Sequence, residues 1–181
     1  MSLGFQRSRK RAVNPVRLLL CALLAGGLPW ALPATAAPVN KVQGTWRMVS
    51  ANIEREGQTL PAYGLAPNSL LVFTADMHFI EVMTDSTIPR FASNTRGQGT
   101  AEENHAAMAG SIGLFGTYTV DEQGNFSGNR VEGSTFPNWV GDVRTHQQLK
   151  LVVDGDQLTE TFQRPEGTRI AIEWQRVAVA K

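Results

Sequence analysis

From Gly44 onward the chain is a succession of short apolar–polar alternations, each closed by a turn signal. Gly44-Thr45-Trp46-Arg47-Met48-Val49-Ser50-Ala51 sets the pattern, with Trp46 and Met48 on one face. Leu60-Pro61, Gly64 and Pro67-Asn68 mark a loop, and Leu70 to Thr74 is a short run of strand formers. Ala75-Asp76-Met77 is a tight turn, and His78 to Thr84 returns from it. Leu114 to Val120 and Phe126 to Glu132 flank a turn at Asp121–Gly124. The spacing predicts one long strand from Val143 to Val153, with Val143, Leu149, Leu151 and Val153 on its apolar face. Asp154-Gly155 is a strong hairpin signal. Leu158 to Phe162 returns, Pro165-Glu166-Gly167 turns, and Ile170, Ile172 and Trp174 share a face of the last strand. Side chains with a period of two bury only one face per strand, so about eight such segments call for an antiparallel barrel or sandwich.

One helix interrupts the series. Asp85 to Gly99 is an irregular stretch of Ser, Thr, Pro, Asn and Gly. Thr100 and Glu103 then form a capping box, Ala101 to Ala109 are good helix formers, and Gly110 suits the stop. Its apolar part, Ala106, Ala107 and Met108, is too small to build a core element alone.

Charge divides the chain. Residues 1–36 carry Arg7, Arg9, Lys10, Arg11 and Arg17 and no acid. An apolar run from Leu18 to Leu32 follows, broken by Gly26, Gly27 and Pro29, and then Ala34-Thr35-Ala36. A basic region, a short apolar region and a small-x-small site make a secretory signal peptide, which implies a periplasmic or secreted protein. The competing reading, a membrane anchor, needs about 20 uninterrupted apolar residues. Cys21 does not make a lipoprotein signal, because bulky Leu20 precedes it, and Arg9 and Arg11 are not an adjacent twin-arginine pair. Cleavage after Ala36 leaves a domain of residues 37–181 with 12 basic and 16 acidic residues, a net charge of −4, and no Cys. That balance argues against a nucleic-acid partner. A domain without Cys has neither a disulfide framework nor thiol chemistry, and no stable membrane anchor remains once the signal is removed.

Further residues resemble a known family. Gly44-x-Trp46 at the first strand, with Arg176 at matching parity near the end of the last, resembles the lipocalin superfamily, in which the Arg packs across the Trp at the closed end. Phe115 to Asp121, Val131-Glu132-Gly133-Ser134, Phe136 to Gly141, and Pro89-Arg90-Phe91-Ala92 resemble the lipocalin-like domain family over about Val42 to Val177. The resemblance implies an all-β, antiparallel up-and-down lipocalin-like barrel of about eight strands with one short helical insertion. It implies no settled activity.

The chemistry-bearing residues are few. His78, His105 and His146 lie in separate elements without ligand spacing, so no metal site is expected, and no cofactor motif is present. His146 shares parity with Arg144, Gln148 and Lys150 and reads as exposed. His78 shares parity with Ile80 and Val82, which directs it toward the interior. Gly110-Ser111-Ile112-Gly113 lacks the spacing and the strand–turn–helix setting of a nucleophile elbow.

Inward polar residues are the remaining signal. Tyr118 shares parity with Leu114 and Val120, Arg130 and Glu132 with Phe126, and Glu160 lies between Leu158 and Phe162. Arg130 paired with Glu132 or Glu160 would line a cavity; a bulge would instead turn these residues to water. Trp139 and Phe136 either close a barrel mouth or plug the core. Arg90 either meets an anionic ligand at the mouth or pairs with Glu102 or Glu103. The candidate ligand-binding set is therefore Tyr118, Arg130, Glu132, Trp139, His78, Arg90 and Glu160, with Gly44, Trp46 and Arg176 as a structural signature.

Three functions follow as expectations. The first is an exported barrel that binds a small, mostly apolar molecule. The second is an isomerase- or cyclase-type enzyme using Tyr118, Arg130, Glu132 and His78 as acid–base groups. The third is an interaction module, for which the sequence shows no clear apolar patch.

Overall fold

The computed structural model describes residues 39–164 and 167–178. The expected signal peptide, 1–36, lies outside them, as do two residues of the turn at 165–167. The described residues hold ten strands and one α-helix: β1 Gly44–Arg55, β2 Gln58–Pro61, β3 Leu70–Phe73, β4 His78–Thr84, α1 Ala101–Ala109, β5 Ser111–Val120, β6 Phe126–Ser134, β7 Val143–Thr145, β8 Leu149–Asp154, β9 Gln157–Gln163 and β10 Arg169–Arg176. A short 3-10 turn, Pro137–Trp139, joins β6 to β7.

All pairings are antiparallel, in the order β7-β6-β5-β4-β3-β1-β10-β9-β8. Nine strands therefore go around a nearly closed barrel, and β6 and β7 meet β8 across the seam without a strand ladder. The tenth, β2, is a hairpin appended to β1. It arises at Glu56-Gly57, both at positive φ (52° and 78°), where a glycine relieves half the strain of a primed turn. Glu-Gly is a weaker signal than Asn-Gly, so the sequence reads as loop where the chain makes a strand.

The inner face is the predicted apolar one for most strands. Trp46, Met48, Leu71, Phe73, Leu114, Leu151, Leu158, Ile172 and Trp174 are all buried. The helix keeps both halves of its capping box and ends at Gly110, and none of its residues is buried. It borders the barrel mouth and adds nothing to the core.

Three facing expectations fail, each for a physical reason. In β4, Phe79, Glu81 and Met83 are buried, while His78, Ile80 and Val82 face out. Apolar residues on both faces hide the parity, and the acid that reads as the polar face is the inner residue. In β6, Ser127 is an unpaired extra residue between partners of Thr119 and Val120. This bulge puts Phe126 and Val131 on one face despite their odd spacing and turns Arg130 out. A second shift skips Glu132, which is also exposed. In the third case, the long strand expected from Val143 to Val153 is broken by a turn closed by Gln148 N–H donating to the Thr145 carbonyl, at 3.0 Å. Across that break the phase changes, so Val143 is exposed and Arg144 is only 7% exposed.

Candidate functional site

The barrel has two unlike ends. At one, the Trp46 indole donates to the Val42 carbonyl at 2.8 Å, and the Arg176 guanidinium lies 3.9 Å over the Trp46 ring. Arg176 also donates to the carbonyls of Gln43 (2.7 Å) and Lys41 (3.1 Å) and pairs with Asp156 at 3.3 Å. Gly44 adopts φ +132°, and a Cβ there would come within 2.8 Å of the Arg176 guanidinium, so the close approach and the backbone both require glycine. Tyr118 belongs to this closed end. Its hydroxyl donates to the Thr74 carbonyl at 2.7 Å and accepts from Asn40 at 2.6 Å, and its ring packs edge-on against Phe73. These bonds anchor the segment before β1 to the β3–β4 turn.

A cavity of about 610 Å³ occupies a different region, bordered by the end of α1, the 3-10 turn and the β9–β10 connection. Its wall includes Tyr63, Met108, Ile112, Phe136, Trp139 and Phe162. Beneath it lies a chamber of about 20 Å³ that shares Tyr63, Trp139, Arg144 and Phe162 with the larger space and adds Glu81 and Glu160. The volume is within the range of small-molecule sites, and an apolar wall over a few polar groups is their usual composition.

Each polar group is held by a specific element. The alternation of β9 turns Glu160 inward, where its Oε2 accepts from the Trp174 indole at 3.0 Å. β4 turns Glu81 inward, and its buried Oε1 has no hydrogen-bond partner among the described residues. Arg144 comes from β7, with its guanidinium 4.8 Å from the Trp139 ring and 4.9 Å from the Phe162 ring. Trp139 is itself braced edge-on by Phe136, with ring centroids 5.6 Å apart. Arg144 Nε and Nη2 are buried without hydrogen-bond partners among the described residues, and Asp142 is 3.8 Å from Nη2.

Burial dominates the electrostatics. It raises Glu160 to about 7, against the Trp174 hydrogen bond and the Arg144 charge. It raises Glu81 well above the ordinary carboxyl range, with the charge of Glu160 adding to the effect and Arg144 opposing it. The Tyr63 hydroxyl is pushed up by burial and then by the charges of both glutamates. Burial lowers Arg144, and Glu81, Asp142 and Glu160 oppose that. Burial and the neighbouring Glu160 charge thus both favour the uncharged form of Glu81, and Glu160 sits near its midpoint at neutral pH.

Of the residues predicted for the site, the structure brings Glu160 and Trp139 together here. Tyr118 lies at the closed end. His78, Arg130 and Glu132 are exposed on the outer surface, and Arg90 is exposed in the loop before α1. The four acid–base candidates therefore do not converge on one pocket. The internal pair expected between Arg130 and Glu132 or Glu160 does not form. Among the described residues, no group of three or more His, Cys, Asp or Glu is arranged to hold a metal. Glu81, Arg144 and Tyr63 escape the sequence reading. A lone acid inside Phe79-Ile80-Glu81-Val82-Met83 is the available clue to Glu81; Arg144 depends on a break in phase, and Tyr63 on a loop. The outer barrel wall carries an apolar row that the sequence does not disclose, with Leu70, Ile80, Val82 and Phe115 between 38% and 52% exposed.

No curated protein matches the chain. Among solved structures, a redesigned β-barrel is similar, at 13% identity and a TM-score of 0.36, over 78% of this chain and 99% of that one. The family described as the lipocalin-like domain matches residues 43–178, from the residue before Gly44 in β1 to the end of the described barrel. The Trp46–Arg176 stack, the antiparallel barrel and that match together identify the chain as a member of the lipocalin-like domain family.

Proposed function

We propose that this protein is an exported carrier or sensor that holds one small, mostly apolar molecule in the aromatic-walled mouth of its barrel. A lipocalin-like barrel is a binding-protein kind of fold, and the finer reading is carried by one observation. The 610 Å³ cavity ends on buried polar groups whose hydrogen bonds are not completed among the described residues. A side-chain plug for a core needs no polar floor, because burying unpaired polar atoms costs stability. A ligand with an apolar body and a polar end satisfies both parts of the site. Export is supported by the basic leader, its short apolar run and Ala34-Thr35-Ala36.

The test uses N-phenyl-1-naphthylamine, a neutral apolar fluorophore. Wild-type protein should bind it with one saturable site and enhanced emission. Ala109 lies on the exposed end of α1 and lines the mouth, so Ala109→Trp fills the cavity without altering the core. It should weaken binding by about tenfold or more through steric exclusion. Equal binding by the two proteins would remove the mouth as the site.

A further inference from the structure

Arg144 is a buried charged group with two donors that have no hydrogen-bond partner among the described residues. The Trp139 and Phe162 rings lie 4.8 and 4.9 Å from its guanidinium carbon, and the N–H donors of the planar guanidinium point outward in its own plane. Within that plane, Nε and Nη2 form one edge with two parallel N–H donors, and neither has a hydrogen-bond partner among the described residues. Asp142 stands 3.8 Å from Nη2 and is too far for a hydrogen bond. Glu160 has one oxygen committed to Trp174. Glu81 presents an unpartnered oxygen to the same chamber.

The chemistry that completes these groups is specific. Two parallel donors in a rigid fork match the two oxygens of a carboxylate. In its protonated form, which burial favours, the Glu81 carboxyl can donate a third hydrogen bond to the same group. An ammonium would face Arg144 with like charge and leave the fork unused. An alcohol offers one neutral oxygen and cannot match two parallel donors with two separate charged acceptors. The chamber alone holds a group about the size of one water, so the carboxylate occupies it together with the adjoining mouth, across the boundary formed by Trp139, Phe162 and Arg144.

We infer that the ligand of this barrel is an amphiphilic monocarboxylate, seated by its carboxylate on the Nε–Nη2 edge of Arg144 with its apolar body in the mouth. The inference rests on the binding reading above and sharpens it to a ligand class.

The experiment is displacement of N-phenyl-1-naphthylamine by dodecanoate and by dodecan-1-ol, which differ in the head group alone. Wild-type protein should release the fluorophore at a dodecanoate concentration about tenfold or more below that of the alcohol, as charge-assisted bidentate hydrogen bonds require. Arg144→Gln should bring the two concentrations together by weakening the acid far more than the alcohol. Arg144→Lys, which keeps the charge and loses the fork, should fall between. Retained fluorophore binding by each variant shows that its barrel is folded. Equal displacement by acid and alcohol in the wild type overturns the carboxylate assignment and leaves the binding site standing. Failure of wild-type protein to bind the fluorophore overturns the binding reading and this inference together.

Discussion

The two arginines of the barrel interior have opposite roles. Arg176 has its hydrogen bonds completed by two carbonyls and its face by Trp46. It closes one end. Replacing it with Ala removes a cation–π contact and two charge-assisted bonds, and should cost about 2 kcal/mol in urea unfolding. Fluorophore binding at the mouth should be unchanged. Arg144 has two donors left over, and Glu160 beside it gives the stability of the fold a distinctive pH dependence. Burial raises the folded-state value of Glu160 to about 7 from an ordinary 4.5. The folded state therefore binds more protons than the unfolded chain between these values. Its stabilising contribution is complete below the unfolded value and is lost as pH rises through the folded one. Glu81 shifts in the same direction, while Arg144, Tyr63 and Trp174 are the other groups surrounding the site. The midpoint of thermal unfolding should therefore fall from about pH 5 to about pH 8. Glu160→Gln, which keeps an acceptor for the Trp174 indole, should flatten that fall. An unchanged slope in the variant would show that another group governs it.

At the scale of elements, legibility depended on whether a local signal was self-contained. The capping box of α1 needs only Thr100 and Glu103, so the helix was readable to the residue. The Trp46–Arg176 pair was readable through the resemblance to the lipocalin superfamily, with which the strand parity of Arg176 agrees. Facing failed wherever parity had to be carried past an irregularity. The bulge at Ser127 turned Arg130 to water, and the turn before Gln148 turned Arg144 inward. Neither irregularity has a distinctive residue, because partner-strand register makes the bulge. β4 failed differently: with Phe79, Ile80, Val82 and Met83 all apolar, alternation held no information, and Glu81 was the inner residue. The helix offers a clean test of its marginal role. Thr100→Ala removes a cap worth about 1 kcal/mol. Amide exchange over residues 103–110 should quicken about fivefold, since 1 kcal/mol is that factor in an opening equilibrium. Global unfolding should not move, because α1 buries no residue.

At the scale of the whole molecule, the barrel separates stability from binding. Aromatic stacking, the Trp46–Arg176 lock and the Tyr118 tether hold the closed end. Glu81 and Arg144, whose hydrogen bonds are unfinished among the described residues, lie at the other region, beneath the mouth, and Asn129 Oδ1 is a further such atom opposite Arg144 on β6. The single Cys and five of the cations fall in residues 1–36, so the proposed cleavage after Ala36 would leave an acidic chain free of thiols. Mass spectrometry of protein recovered from the periplasm or medium should find Ala37 as its first residue; a retained leader would contradict export by cleavage. The central claim is that the mouth, and not the closed end, holds the ligand. The most direct measurement is the shift of tryptophan indole resonances as N-phenyl-1-naphthylamine is added. The Trp139 signal should move in proportion to saturation while Trp46 stays fixed. A fixed Trp139 signal, or a shift at Trp46 in its place, would contradict the account.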